Sequence, residues 1–381
     1  MQGHIKKRLT KRGDVRYDVT YDVPPAPGRA RQQRTKTFRT RKEADRALAE
    51  VIKSVNDGSY TDSTVTVADF LNNWIGSKAA LRPNTVRSYS MHINLYLIPH
   101  LGRLRLRELR PWHVEVMYAR IAESRQGVVG PTTMRRIHAT LMSALNTAVR
   151  KRYLSNNPAQ HVELAPAPRP QVEAWTVDDL KRFIEETKDD RLNTLYLLVG
   201  LRGLRRGEAV GLRWSDVDLE ACSLRVERQI VQVGWRTEIS PPKTRSGTRT
   251  VALDEQTVTA LKQHRAAQNR ERLLWGEAWH DDGWVFTNED GTHLHPDYVT
   301  RHFARQVKAT KMPPLTFHGL RHTAASIALM ARVPMAVVQA QLGHSSMTIT
   351  ADTYTHVAPD LSQRSAEDVG NLFREARPSP R

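Results

Sequence analysis

Cysteine is nearly absent: Cys222 is the only one in 381 residues. A single thiol excludes an intramolecular disulfide and Cys-based zinc modules, as suits a reducing compartment. No apolar run approaches the ~20 residues that a membrane-spanning helix needs. Met1–Arg12 is basic with no apolar core behind it, so neither a membrane anchor nor a signal peptide is expected. Acidic residues are scarce too, but only in part of the chain. Residues 1–60 hold 15 Lys/Arg against 7 Asp/Glu, and residues 61–160 hold 14 against 5. The remaining 221 residues hold 29 against 28, so nearly all of the net charge of +18 sits in the first 160. That asymmetry describes a polyanion-binding half joined to a near-neutral half. The length implies two or three domains, and 39% hydrophobic residues suffice for real cores.

In Val15–Val23 apolar residues occupy every odd position, the period of a half-buried strand. Turn residues Pro24, Pro25, Pro27 and Gly28 follow, then a basic strand over Arg31–Thr40 and a helix over Lys42–Val55. The expected first domain, residues 1–60, is a small three-stranded sheet with one helix. From Thr66 the pattern turns helical. Thr66 and Asp69 are spaced as a capping box, and Pro83, Pro111 and Pro131 each open a further helix. The second of these four helices is expected to stop at Pro99, and the fourth to run to about Tyr153. Residues 64–160 thus read as an all-α four-helix domain. Residues 161–174, with Pro166, Pro168 and Pro170, read as an extended linker. Thr176 with Asp179 caps the first helix of the last domain, residues 175–358, expected to be mainly α with a small β-sheet. Residues 359–381 form a tail.

Two motifs in the last domain carry chemistry. Leu315–His356 sets His318 and Arg321 three apart on one helix face. Gly343 suits the left-handed residue that ends a helix over Pro334–Leu342, after which come His344 and, ten residues on, Tyr354. Earlier, Gly203–Asp216 reads GLRRGEAVGLRWSD. These segments, in their Gly-Leu-Arg-x-x-Glu, His-x-x-Arg, Leu-Gly-His and Thr-Tyr elements, resemble the tyrosine recombinases, or phage-type integrases.

The resemblance implies that Arg205, Lys243, His318, Arg321, His344 and Tyr354 are catalytic, with Tyr354 the nucleophile and Glu208 a support for Arg205. Lys243 would sit on a β-hairpin over Pro241–Val251, with Arg245 and Arg249 nearby and suited to phosphate contacts. Two guanidiniums and an imidazole can neutralise the charge that builds on a phosphodiester under attack. His318 can take the tyrosine proton, and no metal or other cofactor is expected. His293, His295 and His302 lack ligand-spaced Cys or carboxylates, so they are not read as a metal site.

The resemblance further implies an arm-type DNA-binding domain at 1–60 and a core-binding domain at 64–160. Arg31, Arg34, Lys36 and Arg39 are the candidate arm contacts, and Arg82, Arg87, Arg135 and Arg136 the candidate core contacts. Expected partners are double-stranded DNA at core and arm sites, a homotetramer formed on that DNA, an excisionase and a host DNA-bending factor. The expected place is the cytoplasm, on the nucleoid when bound. The alternatives are an Xer-like resolvase, which typically begins at the four-helix domain, and a catalytically inactive architectural protein.

Overall fold

The computed structural model describes residues 3–10, 13–23, 32–56, 65–124, 128–166, 173–242, 245–343 and 374. They divide into two compact units, Met1–Arg169 and Pro170–Arg381.

At the start of the first unit, β1 (Gly3–Leu9), β2 (Val15–Val23) and β3 (Gln32–Phe38) form an antiparallel sheet in that order, followed by α1 (Arg41–Asn56). Tyr17, Val19 and Tyr21 of β2 face the helix. Val19 and Tyr21 are buried with Ala44, and Ile5, Tyr17, Phe38, Leu48 and Val51 pack around them. Directly paired strand residues share a face. Lys36 lies opposite Val19 and Arg34 opposite Tyr21, so both emerge on the helix side. The other face carries Lys6, Arg8, Arg16, Thr20, Thr35 and Thr37 around Asp18.

The helical part of this unit holds α2 (Val67–Gly76), α3 (Pro83–His92), α4 (Ile98–Leu101), α5 (Pro111–Ser124) and α6 (Pro131–Arg150). The Thr66–Asp69 capping box forms with both reciprocal bonds. Trp74 stacks on Tyr89 and donates its indole N–H to Thr147 Oγ1 at 3.0 Å, tying α2 to α6 inside the apolar core. The helix expected to stop at Pro99 does not stop there. A π-turn over Ile93–Leu97, closed by Ile98 N–H to Ile93 O, leads straight into α4, with Pro99 in its first turn. The wider turn accommodates the ring, and a first-turn residue needs no N–H donor.

The second unit begins with α7 (Val177–Glu186), α8 (Asn193–Arg202) and α9 (Arg206–Val210). Five strands follow: β4 (Val217–Asp218), β5 (Ser223–Val226), β6 (Gln229–Val233), β7 (Arg236–Ser240) and β8 (Arg249–Ala252). Helices α10 (Glu255–Trp275), α11 (Pro296–Ala309), α12 (Phe317–Met330) and α13 (Met335–Leu342) complete it. Its core is aromatic: Phe183, Tyr196, Phe303 and Phe317 meet at ring-centroid distances of 5.4–5.6 Å, the spacing at which edge-on contacts add to burial. Trp175 joins the same group.

Pro241–Val251, expected as a hairpin, is not one. The hairpin is β6–β7, turned at Gly234, whose φ is +69°. β8 pairs instead with β5, in the sheet β4-β5-β8. Pro241 and Pro242 have no N–H to extend the β7 ladder, so the chain leaves one sheet and joins the other.

Candidate active site

The site forms where three chain segments meet the end of α13. Gly203 closes α8 in the left-handed conformation, with φ +70°. Arg205 follows and precedes α9, and Glu208 reaches back to accept the Arg205 backbone N–H at 2.9 Å and Arg205 Nη1 at 2.7 Å. Glu208 is 2% exposed. Its other partner is Arg249 Nη2 at 2.8 Å. Burial pushes the Glu208 carboxyl up, but the hydrogen bond and charge of Arg249, with those of Arg205, outweigh it and hold the pKa below 4.5.

Arg321, also 2% exposed, sits on the first half of α12 and donates Nη1 to Gly203 O at 2.6 Å and Nη2 to Leu342 O at 2.7 Å. One guanidinium therefore satisfies the carbonyl ends of two helices, α8 and α13, where orphan acceptors and the helix dipole favour a cation. Arg205 Nη2 donates to Gly343 O at 2.7 Å, and Arg249 Nε to Gln341 O at 2.6 Å. Three successive carbonyls at the end of α13 thus each take a different arginine. Gly343 is left-handed at φ +67°, and a Cβ there would meet Ser246 O at 2.8 Å.

His318, one turn before Arg321, is partly exposed and meets His322 edge-on at 4.9 Å. Desolvation by its surroundings lowers its pKa below 6.5, and the Arg321 and Arg205 guanidiniums push it the same way. The imidazole is therefore neutral near neutral pH and can accept a proton.

Of the residues expected in the site, Arg205, Glu208, His318 and Arg321 come together. Lys243, His344 and Tyr354 lie outside the described residues, as does Arg31. Neighbouring arginines are engaged elsewhere: Arg202 with Asp254, and Arg206 with Asp297 and Thr300. Arg249, read from sequence as a phosphate contact, is instead buried among protein acceptors. Strand periodicity carried the signal, because Arg249 has the same parity as the buried Val251. His293, His295 and His302 each bond separately, to Thr237, to the Asp297 N–H and to Tyr196.

A family model for the phage integrase family matches residues 173–360, which span this site. An arm DNA-binding domain model matches 5–55, and a phage integrase N-terminal SAM-like domain model matches 66–119. The chain belongs to the phage integrase family of tyrosine recombinases. Among members of that family, the XerC-like tyrosine recombinase of Caldanaerobacter subterraneus is 28% identical, covering 97% of this chain and 99% of its own. The ICEBs1 integrase of Bacillus subtilis is 23% identical over 95% and 98%. The integrase fold is also that of the Tn1549 transposon integrase, solved with circular intermediate DNA. There the TM-score is 0.69 at 21% identity, over 80% of this chain and 99% of that one.

On this integrase, Lys36 and Arg39 are exposed and Arg34 is half-buried. Arg82 and Arg87, at the start of α3 and within it, are exposed, as are Arg135 and Arg136 on α6. Lys6, Arg8 and Arg16, not singled out from the sequence, share the sheet face turned away from α1.

Proposed function

We propose that this recombinase integrates and excises a mobile element by cutting and rejoining double-stranded DNA through a 3′-phosphotyrosine at Tyr354. The observation that carries the reading is the convergence of Arg205, Arg321 and His318 where the chain leaves α13 towards His344 and Tyr354.

A phosphodiester is anionic, and attack adds charge to its non-bridging oxygens. Each guanidinium has five N–H donors, and Arg205 and Arg321 stabilise that charge as it develops, with His344 adding a further donor. The Tyr354 hydroxyl, with an ordinary pKa of about 10, gives its proton to neutral His318. The Tyr354 O–P bond forms, the P–O5′ bond breaks, and Lys243 protonates the departing 5′-oxygen. The phosphotyrosine preserves the diester energy, so a 5′-hydroxyl from another strand can attack it, releasing Tyr354 without ATP.

The remaining assignments follow from the same reading. Residues 1–60 bind arm sites, residues 64–160 form a four-helix core-binding domain, and 161–174 link it to the catalytic domain at 175–358. Arg82, Arg87, Arg135 and Arg136 contact core-site phosphates, while Arg31, Arg34, Lys36 and Arg39 contact arm-site DNA. The protein acts as a homotetramer on DNA, its C-terminal tail at 359–381 docking on a neighbour, with an excisionase and a host DNA-bending factor setting direction. The arm-domain match at 5–55 supports an integrase over an Xer-like resolvase.

A nicked suicide duplex carrying the attachment site tests this. Wild-type protein should accumulate as a covalent adduct and Tyr354→Phe should not, while deletion of residues 1–60 should spare core cleavage and impair integration of arm-bearing DNA. A wild type that binds its site without forming an adduct would leave only the architectural-protein reading.

A further inference from the structure

Of the three arginines on the end of α13, the reaction uses two. Arg249 remains, and its side chain is only 6% exposed. Nε donates to Gln341 O at 2.6 Å, Nη1 to Gly247 O at 2.9 Å and Nη2 to Glu208 Oε2 at 2.8 Å. All three nitrogens are thus committed to acceptors on three separate segments: the end of α13, the connection between β7 and β8, and α9, which Arg205 caps.

We propose that Arg249 is a positioning residue for strand cleavage, holding these three segments in one register. The inference rests on the recombinase reading, under which the connection carries Lys243 and the chain beyond α13 carries His344 and Tyr354. General acid, nucleophile and the first phosphate-binding arginine then belong to three elements, and Arg249 is the side chain bonded to all three. The planar fork of arginine suits this. A lysine places one nitrogen and cannot span acceptors on three sides. Misplacement by about 1 Å is enough to slow such a reaction about 100-fold.

The test uses the full chain in single-turnover cleavage of the nicked suicide duplex, at protein concentrations that saturate the DNA. Arg249→Lys keeps the charge beside Glu208 but loses the fork. It should bind the duplex like the wild type and form the adduct about 100-fold more slowly. Arg249→Met alone would leave Glu208 short of a counter-ion, so it is compared in a Glu208→Gln background, where that charge is gone. There Arg249→Met should slow the adduct further than Glu208→Gln does by itself. Wild-type rates for Arg249→Lys would overturn the proposal. So would an Arg249→Met, Glu208→Gln protein that matches Glu208→Gln, since Arg249 would then serve only as a counter-ion. An inert wild type would overturn the recombinase reading itself, which keeps the two failures distinct.

Discussion

Replacing Glu208 with glutamine should destabilise the catalytic unit strongly, and in a way that depends on pH. The carboxylate accepts from Arg205 N, Arg205 Nη1 and Arg249 Nη2. An amide keeps one acceptor oxygen but turns an NH2 towards the second guanidinium, so two charge-assisted bonds are weakened or lost. Each is worth about 1.5–3 kcal/mol. The Arg205 side chain is 32% exposed, so its share is screened and the loss settles at about 3–4 kcal/mol. For a unit of this size that lowers Tm by about 10 °C.

Glu208 has a folded pKa held below 4.5. Its stabilisation is therefore complete above the unfolded carboxylate pKa and fades as pH falls through the lower folded value. Urea unfolding followed by the fluorescence of Trp175, Trp214 and Trp284 should show a constant gap between the two proteins at neutral pH. The gap should narrow below 4.5. A gap under about 1 kcal/mol at neutral pH, the worth of an exposed ion pair, would refute the reasoning. A gap that persists unchanged into strong acid would refute it as well.

Gly343→Ala should cost more than the ~1–2 kcal/mol of an ordinary left-handed alanine, because its Cβ meets Ser246 O at 2.8 Å; cleavage should fall along with Tm. Adduct formation should rise with pH along a limb centred below 6.5 and then level off, as the lowered pKa of His318 requires; His318→Gln should lack that limb. Neutralising Lys6, Arg8 and Arg16 together should make arm-DNA affinity less steep in salt by about 2–3 units of log–log slope, a larger change than Arg34→Gln with Lys36→Gln gives, if the face away from α1 meets the duplex.

Local chemistry was legible in the sequence. The capping boxes of Thr66 and Thr176 form as their spacing predicts, and Gly343 ends α13 in the left-handed region. The Gly-Leu-Arg frame set Arg205 apart from Arg202 and Arg206, which turn to Asp254 and Asp297. What the sequence concealed was non-local. Proline at 99 reads as a stop unless a π-turn precedes it. Whether β8 pairs with β7 or β5 depends on strand partners that no local pattern names. The same pairing decides the fate of Arg249: in a loose hairpin it would face DNA, whereas beside β5 it lies under Glu208. Likewise, basic residues on β3 identify a DNA-binding domain without telling which sheet face they occupy.

The most direct measurement is the chemical identity of the protein–DNA bond. Adduct trapped on the suicide duplex, digested and sequenced by mass spectrometry, should carry a nucleotide 3′-phosphate on Tyr354 and leave a 5′-hydroxyl on the released strand. A phosphate on another side chain, or a 5′-linked adduct, would contradict the account.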